Sequence, residues 1–122
     1  MSWSRSLSEF ADEQEKRLNA QLRATALQAL SGVIERSPVD TGRFRGNNQV
    51  SVGRDETGTV DRSDKSGREA LAVGATEISS VKAPFTYIVV QNNLPYADVL
   101  EMGSSKQAPM GIFAATFESL KR

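Results

Sequence analysis

The sequence predicts a mixed α+β domain built on one long helix, two strands far apart in the chain, and several shorter helices. Three observations carry this. Apolar residues recur at spacings of three, four and seven from Trp3 to Arg36, the signature of one helix face. Asn48–Val52 alternates polar and apolar residues, as a half-buried strand does. Phe85 to Gln91, reading FTYIVVQ, is rich in β-branched and aromatic residues on both faces, which predicts a second strand buried on both sides.

The helix is expected over residues 4–36. Leu7, Phe10, Ala11, Leu18, Leu22, Ala26, Ala29, Leu30, Val33 and Ile34 form its stripe, and Glu15, Lys16, Arg17 and Arg23 fill other faces. Ser6 with Glu9 fits a capping box, and Asp12 and Glu13 suit the positive end of the helix dipole. Ser37-Pro38 ends it, because proline disfavours helical dihedrals in the preceding residue. A continuous helix of this length spans about 45 Å, more than a compact domain of this size needs. Either it is a long core helix, or its first half projects toward a neighbouring subunit.

Ser37 to Arg45 (SPVDTGRFR) reads as a turn: Pro38 restricts one dihedral, Asp40 and Thr41 can bond local amides, and Gly42 permits positive φ. The partner of the strand Asn48–Val52 is expected far ahead in the sequence. Residues 53–67 (GRDETGTVDRSDKSG) hold a single apolar residue, Val60, among charges of both signs. Such a stretch buries too little to offset its ordering entropy, so it is expected to be a mobile loop or an extended hairpin tip. Its aspartates lack the spacing of a calcium loop. Ser66 to Val81 predicts a second helix from Leu71, Ala75 and Ile78, weakened at Gly74 by about 1 kcal/mol. Pro84 punctuates, and Asn92-Asn93-Leu94-Pro95 marks a turn into a short helix over Tyr96 to Met102 that stops at Gly103. Pro109 opens a last amphipathic helix marked by Ile112, Phe113, Thr116, Phe117 and Leu120.

Composition narrows the function. At 122 residues the chain is expected to be a single domain. Formal net charge is zero, which speaks against nucleic-acid binding as the main task. No apolar run of about 20 residues predicts a membrane span, and Met1 to Phe10 does not read as a secretory signal. Cysteine and histidine are both absent. Thiolate nucleophiles, cysteine zinc sites and Ser-His-Asp triads are therefore excluded, and no cofactor is expected. Carboxylates remain. Asp98 and Glu101 lie three residues apart on one short helix, so they point the same way and do not flank a substrate bond. Lys106 sits in a Ser/Gln loop, and no Gly-rich phosphate loop is present.

Two segments carry a resemblance. SPVDTGRFRGN at Ser37 to Asn47 follows the long helix, and NNLPYADVLEMGSSKQAP runs from Asn92 to Pro109. In this order and near this spacing they resemble the neck or tail-completion family of long-tailed bacteriophages, which includes relatives of the minor tail protein Z of lambda-like phages. The resemblance implies a virion protein of the head–tail connector, made in the host cytoplasm and set in a ring, sixfold to match a tail tube. It implies a long N-terminal helix against a small, mostly antiparallel sheet with short helices. Its partners would be further copies of itself, the head-closure protein and the tail terminator, with at most passive contact with passing DNA. Pro38, Asp40, Thr41, Gly42, Asn93, Pro95, Tyr96, Ala97, Glu101, Gly103 and Pro109 would be its fold-defining turns or its contact residues. The chain departs from the family at Asn48, where an aromatic residue is common, which puts core packing there in question. Three other readings stay open: the tail terminator or head-closure ring of the same connector, a small DNA-associated regulatory protein, and a carboxylate hydrolase.

Overall fold

The computed structural model describes residues 3–82, 86–103, 106–108 and 110–121. Helix α1 spans Trp3–Arg36 as 34 continuous residues. It begins before Ser6, so the expected capping box lies inside the helix and does not start it. Its C-terminal carbonyls, which have no partner within a helix, are met by side chains. Ser37 Oγ donates to Val33 O at 2.7 Å, and Arg45 Nη2 donates to Glu35 O at 3.3 Å and to Ser37 O at 2.9 Å.

Only the second half of α1 enters the core. Ala26, Leu30 and Ile34 pack with Val50, Ala70 and Ile78, while Val33 joins Phe44, Leu94, Ala108 and Ile112 in a second cluster. The first buried residue of the described part is Asn19, whose Nδ2 donates to Lys82 O at 3.0 Å. Arg23 Nη1 donates to Val81 O at 2.9 Å, so these two side chains tie α1 to the turn that follows the second long helix.

Strand β1 (Asn48–Val52) pairs antiparallel with β2 (Ile88–Asn92), in the register Asn48↔Asn92, Val50↔Val90, Val52↔Ile88. The distant partner expected for β1 is thus β2, and the fold is α+β. The strand expected over Phe85 to Gln91 is corrected. It begins at Ile88 and its residues are half-buried, with Tyr87 just before it exposed. The two-stranded ribbon takes its helices on the Val50 and Val90 face, while the polar loop after β1 reaches the other through Gln49. Phe85 and Pro84 lie outside the described residues.

Helix α3 (Arg68–Ser79) crosses both α1 and β1. At Gly74 the packing is tight: a Cβ there would run into Leu30 Cδ2 and lie 3.0 Å from Val50 Cγ2. The residue that weakens the helix intrinsically is the one that lets it approach. A four-residue helix, α2 (Arg43–Gly46), sits where a plain turn is expected, and α4 (Ala97–Glu101) and α5 (Phe113–Ser119) complete the fold.

The polar stretch 53–67 forms no hairpin, and its expected lack of burial is corrected. Asp64 is buried; its Oδ2 accepts from Ala70 N at 3.0 Å and its Oδ1 from Gly67 N at 3.1 Å and Ser66 Oγ at 3.2 Å. It therefore caps α3 from outside the helix. Val60 N donates to Asn47 Oδ1 at 2.9 Å, and Arg62 Nε donates to Gly46 O at 2.6 Å. Polar groups, in place of apolar burial, fasten this segment.

Candidate interaction site

The two segments singled out in the sequence meet in space. Gly42, with φ of 86°, turns the chain out of α1 so that its carbonyl accepts Gly46 N and Asp64 N, both at 2.9 Å. A Cβ at Gly42 would stand 2.5 Å from Lys65 N, so only glycine fits. Asn92 Nδ2 donates to Phe44 O at 2.9 Å and to Asn48 Oδ1 at 3.3 Å. The Phe44 and Tyr96 rings lie 5.9 Å apart, and the Gln107 side-chain amide pairs with both polar backbone atoms of Val39, at 2.9 and 3.1 Å.

Asn48 is the hinge of this joint. It is fully buried, donating from Nδ2 to Ser37 Oγ at 2.9 Å and to Arg45 O at 3.0 Å. Hydrogen bonding satisfies this buried side chain, whose Oδ1 also accepts from Asn92 Nδ2.

The remaining sequence-predicted residues distribute around the joint. Thr41 Oγ1 accepts from Arg43 N at 3.3 Å, while Asp40 is exposed and Pro38 half-buried. Asn93 Nδ2 donates to Glu56 O at 3.0 Å and Gly58 O at 2.9 Å, fastening the polar loop to the end of β2. Pro95 and Tyr96 are exposed, and Ala97 packs against the second cluster. Gly103 has φ of 87° and donates its N–H to Leu100 O at 3.1 Å, ending α4 as expected. Pro109 lies outside the described residues.

Glu101 does something its place in α4 does not announce. Its Oε1 accepts from Ile112 N at 2.9 Å and Phe113 N at 2.8 Å, and its Oε2 from Ala114 N at 2.8 Å. Burial alone would raise this carboxyl, but the amides of Ala114, Phe113 and Ile112 outweigh it and hold it below its ordinary value. The same balance lowers Asp64: burial opposes, and the bonds from Ala70, Ser66, Glu69 and Gly67 prevail. Both carboxylates are spent on helix N-termini, where the dipole favours negative charge. No signal in the local sequence ties Glu101 to Ile112, since the cap is made across a loop. Asp64 was legible only as one aspartate among several.

Two apolar surfaces are open among the described residues. Between Leu7 and Leu18 no residue of α1 is buried; Leu7 is 61% and Phe10 60% exposed. Between α1 and α5 runs an apolar groove of about 330 Å³ whose walls include Leu22, Ala29, Val33, Val90, Phe113 and Phe117. A more polar cavity of about 430 Å³ lies between β1, α3 and the 53–62 loop, where Arg54 pairs with Glu77 at 3.3 Å and Glu56 at 3.7 Å. Among the described residues no three His, Cys, Asp or Glu side chains gather as metal ligands, and no helix is long and apolar enough to cross a membrane.

Comparison with protein-family models, curated proteins and solved structures finds no match to this chain.

Proposed function

We propose that this chain is a structural subunit of a bacteriophage head–tail connector, of the neck or tail-completion type, which assembles with copies of itself into a ring. The observation that carries the reading is the first half of α1, whose Leu7, Phe10 and Leu18 stand exposed ahead of the packed core. Apolar side chains left exposed along one helix suit a surface that a neighbouring copy covers. The sequence resemblance at Ser37 to Asn47 and Asn92 to Pro109 points to the same machine. Zero net charge keeps like subunits from repelling one another. A non-catalytic role accords with Glu101, one of the two candidate carboxylates, being committed to three backbone amides.

Light scattering on a sizing column, with negative-stain images of each peak, tests this. A ring, sixfold in the expected case, supports it. A monomer at every concentration up to about 1 mM, too weak for a stable self-interface, sinks it.

A further inference from the structure

We propose that the open edge of β2 takes up an extended, uncharged segment of another protein as a third strand. Its alternate apolar side chains then fill the groove between α1 and α5. The inference does not rest on the ring reading, which uses the first half of α1.

Hydrogen bonding defines the edge. Gly53 N donates to Tyr87 O at 2.8 Å, and these two residues are the next rung of the register that pairs Val52 with Ile88. Bonded and unbonded rungs alternate along an antiparallel pair, so Val89 and Gln91 point their backbone groups at β1. Those of Ile88, Val90 and Asn92 point the other way, off the ribbon. Among the described residues no backbone group outside the ribbon bonds to them. Edge strands are commonly guarded by charge, proline or a bulge. β2 has none of these: its pairing is unbroken, and no charged residue falls between Lys82 and Asp98.

The side chains fit the same occupant. Ile88 and Val90 pack toward α1, and with Leu22, Ala29, Phe113 and Phe117 they line the apolar groove. Helix α5 packs on α1, and the groove parts it from β2. A strand laid beside β2 meets the edge with its main chain and sends every second side chain toward α1, into this space. Main-chain bonds then supply affinity, and the groove selects the alternate side chains.

Charge narrows the occupant further. No charged side chain lines the groove, so a charge carried into it would be buried without a counterion. The segment that matches is therefore uncharged, like the edge it joins. At about 330 Å³ the groove suits the side chains of one lone strand better than the helix-backed ribbon of a second copy.

The test titrates the full chain with an acetylated, amidated hexapeptide of alternating valine and threonine, followed by amide NMR. Binding with a Kd of about 0.5 mM or tighter should shift the amides of Ile88, Val90 and Asn92 and those of α5 around Phe117. The same peptide N-methylated at every residue keeps its side chains but loses its donors, and should not bind. Thr25→Glu puts a carboxylate in the groove from an exposed position on α1. It should leave melting unchanged and weaken the peptide by about tenfold or more. Leu7→Ser, outside the groove, should bind the peptide as the parent does, whatever its effect on assembly. Equal binding of both peptides would mean apolar burial without strand pairing, and no binding below about 1 mM would mean no docking edge; either overturns the proposal. Amide shifts at Ile88 and Val90 on diluting the chain alone would make a second copy the occupant, and would overturn it too.

Discussion

Replacing Glu101 should unlatch α5. Its carboxylate accepts three amides across the loop, one of them from Ile112, whose side chain is fully buried. A hydrogen bond to a charged group contributes about 1.5–3 kcal/mol, and an N-terminal cap is worth about 0.5–2 kcal/mol. Water can reach Ala114, which is exposed, so its bond counts for less. Glu101→Ala should therefore cost about 2–3 kcal/mol, and Glu101→Gln, which keeps one acceptor oxygen, about half of that. For a domain of this size the alanine loss is a fall in Tm of roughly 8–15 °C. Urea unfolding followed by circular dichroism measures it. The folded-state pKa is depressed, so this stabilisation is complete above the ordinary value of 4.5 and is lost as pH falls through the lower folded value. The gap between parent and Glu101→Gln should accordingly be widest near neutrality and narrow as the pH falls below 4.5. A loss under about 0.5 kcal/mol, or a gap as wide at pH 3 as at pH 7, would refute the latch.

Gly111→Ala should break the same latch from the other side, because φ is 84° and a Cβ would stand 2.8 Å from Glu101 O; combined with Glu101→Ala, the loss on urea unfolding should be well short of additive. Gly74→Ala should destabilise by about 1–3 kcal/mol despite the helix propensity it gains, since the new methyl collides with Leu30; a more stable variant on urea unfolding would reverse that reading. Asp64→Asn should cost about 1–2 kcal/mol at pH 7, and less as pH drops below the ordinary 3.8; amide exchange in the first turn of α3 should rise with it. Asn48→Leu should cost about 1–3 kcal/mol by removing the bonds its side chain makes to Ser37 Oγ, Arg45 O and Asn92 Nδ2, and retained stability on melting would mean the network is dispensable.

The elements that sequence revealed were those whose cause is local. The 34-residue helix is written in its own apolar spacing and stopped by Pro38, and β1 in its alternation. Gly103 and Gly42 announced their turns because positive φ is a property of the residue itself. The joint was legible in part: both turn segments stood out, but nothing in either shows that Asn92 reaches Phe44 or that Gln107 reaches Val39.

By itself, then, the sequence determined where most helices and both strands lie, though not α2 or the start of β2, because propensity, period and dihedral restriction act within a few residues. Tertiary structure alone decided the rest. It turned Gly74 from a weak helix residue into a contact with Leu30, and recruited Asp64 and Glu101 as caps for helices they do not belong to. It buried Ala26, Leu30, Val33 and Ile34 of α1 while leaving Leu7, Phe10 and Leu18 exposed on the same helix. One unbroken stripe was readable in advance. Which half of it is covered depends on where α3, α5 and the sheet come to rest, and burial is settled between segments distant in the chain.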